Sequence, residues 1–217
     1  MLTSGRFEFV IFDCDGVLID SETVALPVLG TMLAELGAHL EVDEVHRRFG
    51  GLAVSQVMAA VAETLGTAPP ATFEADLARR WEDVLGSELV PIAGVTDVLE
   101  NLRLPFCTAS NAESTEIRFN LGAAGLRHHF EDRIYTATDV DHPKPAPDLY
   151  LLAARTHGVD PAVCAVVEDT PTGVAAGAAA GMHVFGYSTR HSEAALRAAG
   201  ARETFRHMDE LLPLLHA

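Results

Sequence analysis

FEFVIFDCDGVLIDSE, residues 7–22, is the stretch on which the fold turns. Its first six residues, Phe7 to Phe12, form a short run, apolar at every position but Glu8 and rich in β-branched and aromatic side chains. Such a run reads as a strand buried on both faces, the kind found inside a parallel sheet. It stops at Asp13, and Asp15 and Gly16 follow at once. Open parallel sheets bind ligands beyond the carboxyl ends of their strands. Two carboxylates at i and i+2 therefore stand where a site is expected.

Downstream the pattern becomes helical. Val24, Val28, Met32 and Leu36 recur at helical spacing, as do Val54, Val57, Met58, Val61 and Leu65. Phe73, Leu77, Trp81, Val84 and Leu85 make a third stripe, with Thr72 as a candidate N-cap. From Pro91 onward, short apolar runs alternate with helical segments. Strands are predicted at 105–109, 133–137, 163–167 and 183–187, with a weaker one at 203–206. Pro147 and Pro171 stand where helices begin, and Gly158 and Gly181 where they end. Strand–helix alternation predicts right-handed crossovers. The expected fold is α/β: a Rossmann-like, doubly wound parallel-sheet core at 1–19 and 90–217, interrupted by an inserted α-helical cap at 20–89.

Composition narrows the function classes. The chain has 217 residues, 48% of them apolar, and a formal net charge of −16. That charge opposes nucleic acid or an anionic membrane as the main partner. No apolar run of 18 residues appears, so no membrane span is expected. The start, MLTSGRFEFVIFD, has no basic segment leading into a long apolar one, so no signal peptide is expected. Cys14, Cys107 and Cys164 are odd in number and widely spaced, which reads as buried reduced thiols and a cytoplasmic protein. A monomer is the default expectation. Of the 15 basic residues, 14 are Arg and one is Lys144.

Beyond the first strand lie Asp13, Asp15 and Gly16. Beyond the second come Thr108, Ala109, Ser110 and Asn111. Beyond the third lies Lys144, in HPKPAPD, and beyond the fourth Glu168 and Asp169. Four carboxylates repel one another unless a cation intervenes. Oxygen-only ligation calls for a hard ion, and Mg²⁺ fits because it leaves positions for water and phosphate. No His or Cys grouping has zinc spacing.

FDCDGVLIDSE, TASN at 108–111, KPAPD at 144–148 and VEDT at 167–170 resemble the four ordered motifs of the haloacid dehalogenase superfamily. The helical insert resembles the cap of the subgroup containing β-phosphoglucomutase and many small-molecule phosphatases. The resemblance implies that Asp13 attacks phosphorus and that Asp15 serves as general acid and base. It implies that Thr108 bonds the phosphoryl oxygens, aided by backbone N–H groups near Gly16, Ala109, Ser110 and Asn111. Lys144 would neutralise charge. Asp13, Asp15 (by its carbonyl) and Asp169 would hold Mg²⁺, with Glu168 either ligating it directly or orienting its neighbours.

Departures from the pattern select a reaction. Asp15 argues against a dehalogenase, which needs no such acid. The related phosphonatase needs a cap lysine, and none exists in residues 1–143. Ala25 stands where β-phosphoglucomutase has a histidine, and Val54 where its cap loop has an arginine. The expected activity is therefore hydrolysis of a small phosphate monoester, a sugar or sugar-acid phosphate, with phosphomutase as the alternative. A non-enzymatic phospho-acceptor like a receiver domain is a third reading. Gly51 and Leu52, in the turn FGGLAVS at 49–55, and Arg80 are specificity candidates. Arg47, Arg48 and Arg79 are further cations able to meet a second anionic group.

Overall fold

The computed structural model describes residues 6–52 and 54–216, apart from the side chains of residues 54 and 55. Residues 1–5, part of the segment read for a leader, lie outside the described residues. So do Ala53 in the specificity turn and the side chain of Val54. The chain forms two compact units, 1–20 with 90–217, and 21–89.

The first unit is built on six parallel strands: β1 (Phe9–Phe12), β2 (Phe106–Ser110), β3 (Ile134–Thr136), β4 (Cys164–Glu168), β5 (His183–Tyr187) and β6 (Glu203–Phe205). Their order is β3-β2-β1-β4-β5-β6. β1 is central because FVIF has no polar side chain to keep wet, and all four residues are buried. The chain adds β2 and β3 on one side of β1, then β4 to β6 on the other. The order thus reverses at β1, which places the ligand crevice at the ends of β1, β2 and β4. All five residues of β4 and all five of β5 are buried. One core cluster spans these strands and includes Phe9, Ile11, Tyr150, Val166 and Val184.

Strand ends differ from the sequence expectation in a way that matters. β2 ends at Ser110 rather than Ala109, so Thr108 lies inside the strand. β4 likewise runs through Glu168. After β1 the chain folds back tightly: Leu18 N–H donates to Cys14 O, Gly16 N–H to Ile19 O, and Ile19 bridges to Pro91.

The second unit contains four helices, α1 (Ser21–Glu35), α2 (Val42–Phe49), α3 (Val54–Leu65) and α4 (Phe73–Glu88). Its core gathers Leu26, Leu29, Leu33, Phe49, Val61, Phe73 and Leu77. The buried face of α1 keeps Met32 of the expected stripe and is otherwise turned from it. Leu26, Leu29 and Leu33 point inward, Val24 and Val28 are half-buried, and Leu36 is exposed. Thr72 precedes α4, but its side chain caps no backbone N–H.

Among the described residues, the α-helices of the first unit are α5 (Val95–Asn101), α6 (Ser114–Ala123), α7 (Arg127–Phe130), α8 (Asp148–His157), α9 (Pro171–Ala179), α10 (Glu193–Ala199) and α11 (Leu211–His216). Pro147 is the N-cap of α8, and Pro171 is the first residue of α9. Gly158 ends α8 with a left-handed φ of 68°. The three cysteines are free and buried. No described helix is long and apolar enough to cross a membrane.

Candidate active site

Asp13 leaves the end of β1 with its backbone N–H donating to Val167 O of β4, which fixes it against the neighbouring strand. Its side chain is buried and meets Lys144, whose Nζ lies 2.6 Å from Asp13 Oδ1. Lys144 is only 7% exposed. Its Nζ also donates to Ala109 O at 2.9 Å and Glu168 Oε1 at 2.7 Å. An ammonium has three protons, and all three are placed. Lys144 is therefore a fixed strut that aims Asp13.

The strut is held from its own backbone. Lys144 N–H donates to Asn111 Oδ1, and Asn111 Nδ2 donates back to Lys144 O, each at 3.0 Å. The Asn111 side-chain amide is thus committed to Lys144, whereas the expectation for Asn111 concerned its backbone N–H.

Glu168 and Asp169 are adjacent in sequence and opposite in environment. Glu168 Oε1 accepts from Lys144 Nζ and, at 2.8 Å, from the Tyr150 hydroxyl. Glu168 Oε2 accepts from the Thr170 N–H and Thr170 Oγ1, at 3.1 and 3.0 Å. Four donors occupy a carboxylate that offers about four lone-pair sites. Both oxygens of Asp169 are buried without a hydrogen-bond partner. An orphaned buried carboxylate is costly. A cation relieves that cost, and one oxygen each from Asp13, Glu168 and Asp169 lies within 4.8 Å of the others. The donor set is all oxygen, so it fits a hard divalent ion such as Mg²⁺. Because Glu168 is already saturated, the orienting role suits it better than direct ligation.

Two glycines make room for these acids. Gly16 adopts φ +82°, and a Cβ there would sit 2.0 Å from Asp169 Oδ2. A Cβ on Gly173 would sit 1.6 Å from Glu168 Oε1.

Electrostatics follow from burial. Desolvation first, then the charge of Glu168, push Asp13 up to about 7 against the pull of Lys144. Burial drives Asp169 well above the usual carboxylate range, with Glu168 and Asp13 adding to it. Burial alone would lower the Lys144 ammonium, but Asp13 and Glu168 outweigh it and hold it well above its ordinary value. Asp15 is half-buried at the turn.

The hydroxyl expected to meet phosphate is that of Thr108. Thr108 pairs with Phe12 in β1, one residue short of Asp13, and is fully buried. Its Oγ1 has no hydrogen-bond partner. Ser110 closes β2, and its Oγ accepts from Ala112 N–H at 3.2 Å. Ala109 O shares Lys144 Nζ with Asp13, and Ser110 is the hydroxyl at the end of β2.

The specificity candidates lie in the second unit. Gly51 takes φ +73°, and its N–H donates to Glu22 Oε1 at 2.7 Å. Leu52 is partly exposed, at 36%. Ala25 O accepts from Trp81 Nε1. Arg80 is bound by both oxygens of Glu35, at 2.9 and 3.0 Å. Arg47 and Arg48 share Glu44, and Arg79 pairs with Asp76.

Tyr150, Thr170 and Gly173 carry no role in the sequence expectation. A Thr-Pro pair ahead of a small-residue helix is an N-cap signal that could have exposed Thr170, whose Oγ1 accepts from Gly173 N–H. Tyr150 has no comparable local signal.

The family model of haloacid dehalogenase-like hydrolases matches residues 7–181. The 6-phosphogluconate phosphatase of Escherichia coli K12 is 32% identical over 83% of this chain and 82% of its own. A fructose-1-phosphate phosphatase of the same organism is 29% identical, over 82% of this chain and 94% of its own. A HAD family hydrolase from Deinococcus radiodurans R1, solved with bound phosphate and sodium, superposes with a TM-score of 0.87. It is 35% identical and covers 98% of this chain and 96% of its own.

Proposed function

The chain belongs to the haloacid dehalogenase-like hydrolases, and on that premise we propose that it is a Mg²⁺-dependent phosphatase of small sugar phosphates that works through an aspartyl-phosphate on Asp13. The observation that carries this reading is Lys144 Nζ held between Asp13 Oδ1 and Glu168 Oε1, beside the unpartnered Asp169.

Asp13 attacks phosphorus through the oxygen that Lys144 does not hold. The ester P–O bond breaks, and the leaving alcohol takes a proton from Asp15. Water then attacks the aspartyl-phosphate, Asp15 takes its proton, and phosphate departs as the Asp13 carboxylate is restored. Ser110 and the N–H groups following it cradle the phosphoryl oxygens, in place of Thr108. Asp13, Asp169 and the carbonyl of Asp15 are the groups that would hold Mg²⁺, which supplies positive charge against the accumulating anions.

Residues 21–89 carry four arginines, no lysine and eleven carboxylates. Each arginine is ion-paired within that unit. These exposed pairs break at little cost, so sugar and sugar-acid monophosphates both stay open, while the excess of carboxylates disfavours a bisphosphate and hence a mutase. Turnover of a phosphate-ester panel, with Mg²⁺ and with chelator, tests the reading. Stoichiometric phosphorylation that persists without turnover would sink it in favour of a phospho-acceptor.

A further inference from the structure

Glu168 is a strand-end carboxylate that needs four donors, and only one of them is the lysine it neutralises. Of the other three, two come from Thr170, the N-cap of α9. The last is the hydroxyl of Tyr150, the third residue of α8, fully buried in the core. The same tyrosine presents its ring face to the cation: Lys144 Nζ lies 4.8 Å from the ring centroid. One side chain thus touches both members of the ion pair, its hydroxyl on the anion and its π face on the cation.

We propose that Tyr150 is a positioning residue for the Asp13 chemistry, holding Lys144 and Glu168 at the separation that lets Lys144 aim Asp13; the proposal rests on the phosphatase reading above. The reason is competition for one ammonium. Lys144 Nζ is shared between two carboxylates at nearly equal distances, 2.6 and 2.7 Å. The pull of Glu168 is tempered because the Tyr150 hydroxyl takes part of the charge on Oε1. Without that donor, Oε1 keeps a buried unmet lone pair. It then draws Lys144 toward itself and away from Asp13. The ring face opposes that displacement, since moving the ammonium off it forfeits the quadrupole attraction. Tyr150 acts only through Lys144 and Glu168, so substrate binding should be spared.

The chain's single lysine makes the test direct. Protein labelled with ¹⁵N at lysine Nζ has one side-chain ammonium resonance, and its burial and three acceptors make proton exchange slow enough to observe. Tyr150→Phe keeps the ring and removes only the hydroxyl. Its ammonium resonance should move from the wild-type position, and kcat on the best substrate of the panel should fall roughly tenfold with KM unchanged. Tyr150→Leu, which removes the ring as well, should move the resonance and lower kcat further. An unmoved resonance in the Phe variant overturns the proposal, as does wild-type kcat or a loss carried by KM alone. If the wild type shows no turnover on any ester, the phosphatase reading fails. The ammonium resonance still decides whether Tyr150 sets the position of Lys144.

Discussion

In the sheet unit, Lys144 is almost wholly buried and bonds Asp13, Glu168 and a backbone carbonyl. In the helical unit, Arg80 lies at the surface, doubly bonded to Glu35, and Arg47, Arg48 and Arg79 make similar exposed pairs. Both regions contain ion pairs of good geometry. They differ in the water around them. Screened surface pairs contribute little and change little when lost. A buried ammonium between two carboxylates leaves uncompensated charge if any member is removed. Consequence therefore tracks burial, and four substitutions arranged by expected effect probe that gradient.

Asp13→Asn should be the most severe. The protein should fold, since the amide is nearly isosteric, and lose turnover by at least about 10³-fold, as removal of a covalent nucleophile does elsewhere. Turnover close to wild type would break the covalent mechanism.

Ser110→Ala and Thr108→Val sharpen the comparison within β2. Loss of a transition-state donor should cost Ser110→Ala about 10²-fold in kcat. Thr108→Val should retain activity and gain stability, because it removes a buried hydroxyl with no partner. The reverse ranking would restore Thr108 as the phosphoryl ligand.

The third expectation concerns pH. Burial and Glu168 push Asp13 up to about 7 in the metal-free chain, and Asp169 shifts the same way. An unfolded carboxyl titrates at about 4. Between those values the folded chain holds protons that the unfolded chain has released, so stability falls as pH rises through that window. Thermal midpoints of metal-free protein should show this fall relative to Asp13→Asn. Mg²⁺ should flatten it, because the cation stabilises the ionised cluster. Parallel wild-type and Asp13→Asn profiles would contradict the assignment.

Arg80→Ala should have the smallest effect. Its partner Glu35 is exposed, and neither group is cut off from water. Stability and the ratio of kcat to KM on a neutral sugar phosphate should stay within error of wild type. A selective loss on that ester would show that Arg80 leaves Glu35 to meet substrate.

Much of the site lies in the sequence because it lies at strand ends. Asp13, Lys144, Glu168 and Asp169 follow short apolar runs or sit beside prolines, and chain order alone brings them to one sheet edge. Thr108 and Ser110 could not be ranked that way. They differ by two residues on one face of a strand, and the predicted strand end fell one residue short. The face of α1 was similarly ambiguous, since two overlapping leucine and valine sets satisfy helical spacing. Packing against α2 to α4 chose Leu26, Leu29 and Leu33.

The sequence by itself determined the central strand, the strand-end carboxylates and the uniqueness of Lys144. These are properties of apolar patterning and composition, and need no knowledge of neighbours. Only the tertiary structure decided which of two adjacent acids is saturated and which is orphaned. Glu168 and Asp169 are equivalent carboxylates on paper. Lys144 and Tyr150, 24 and 18 residues away, reach the first and not the second, and partners so distant in sequence are assigned by packing alone.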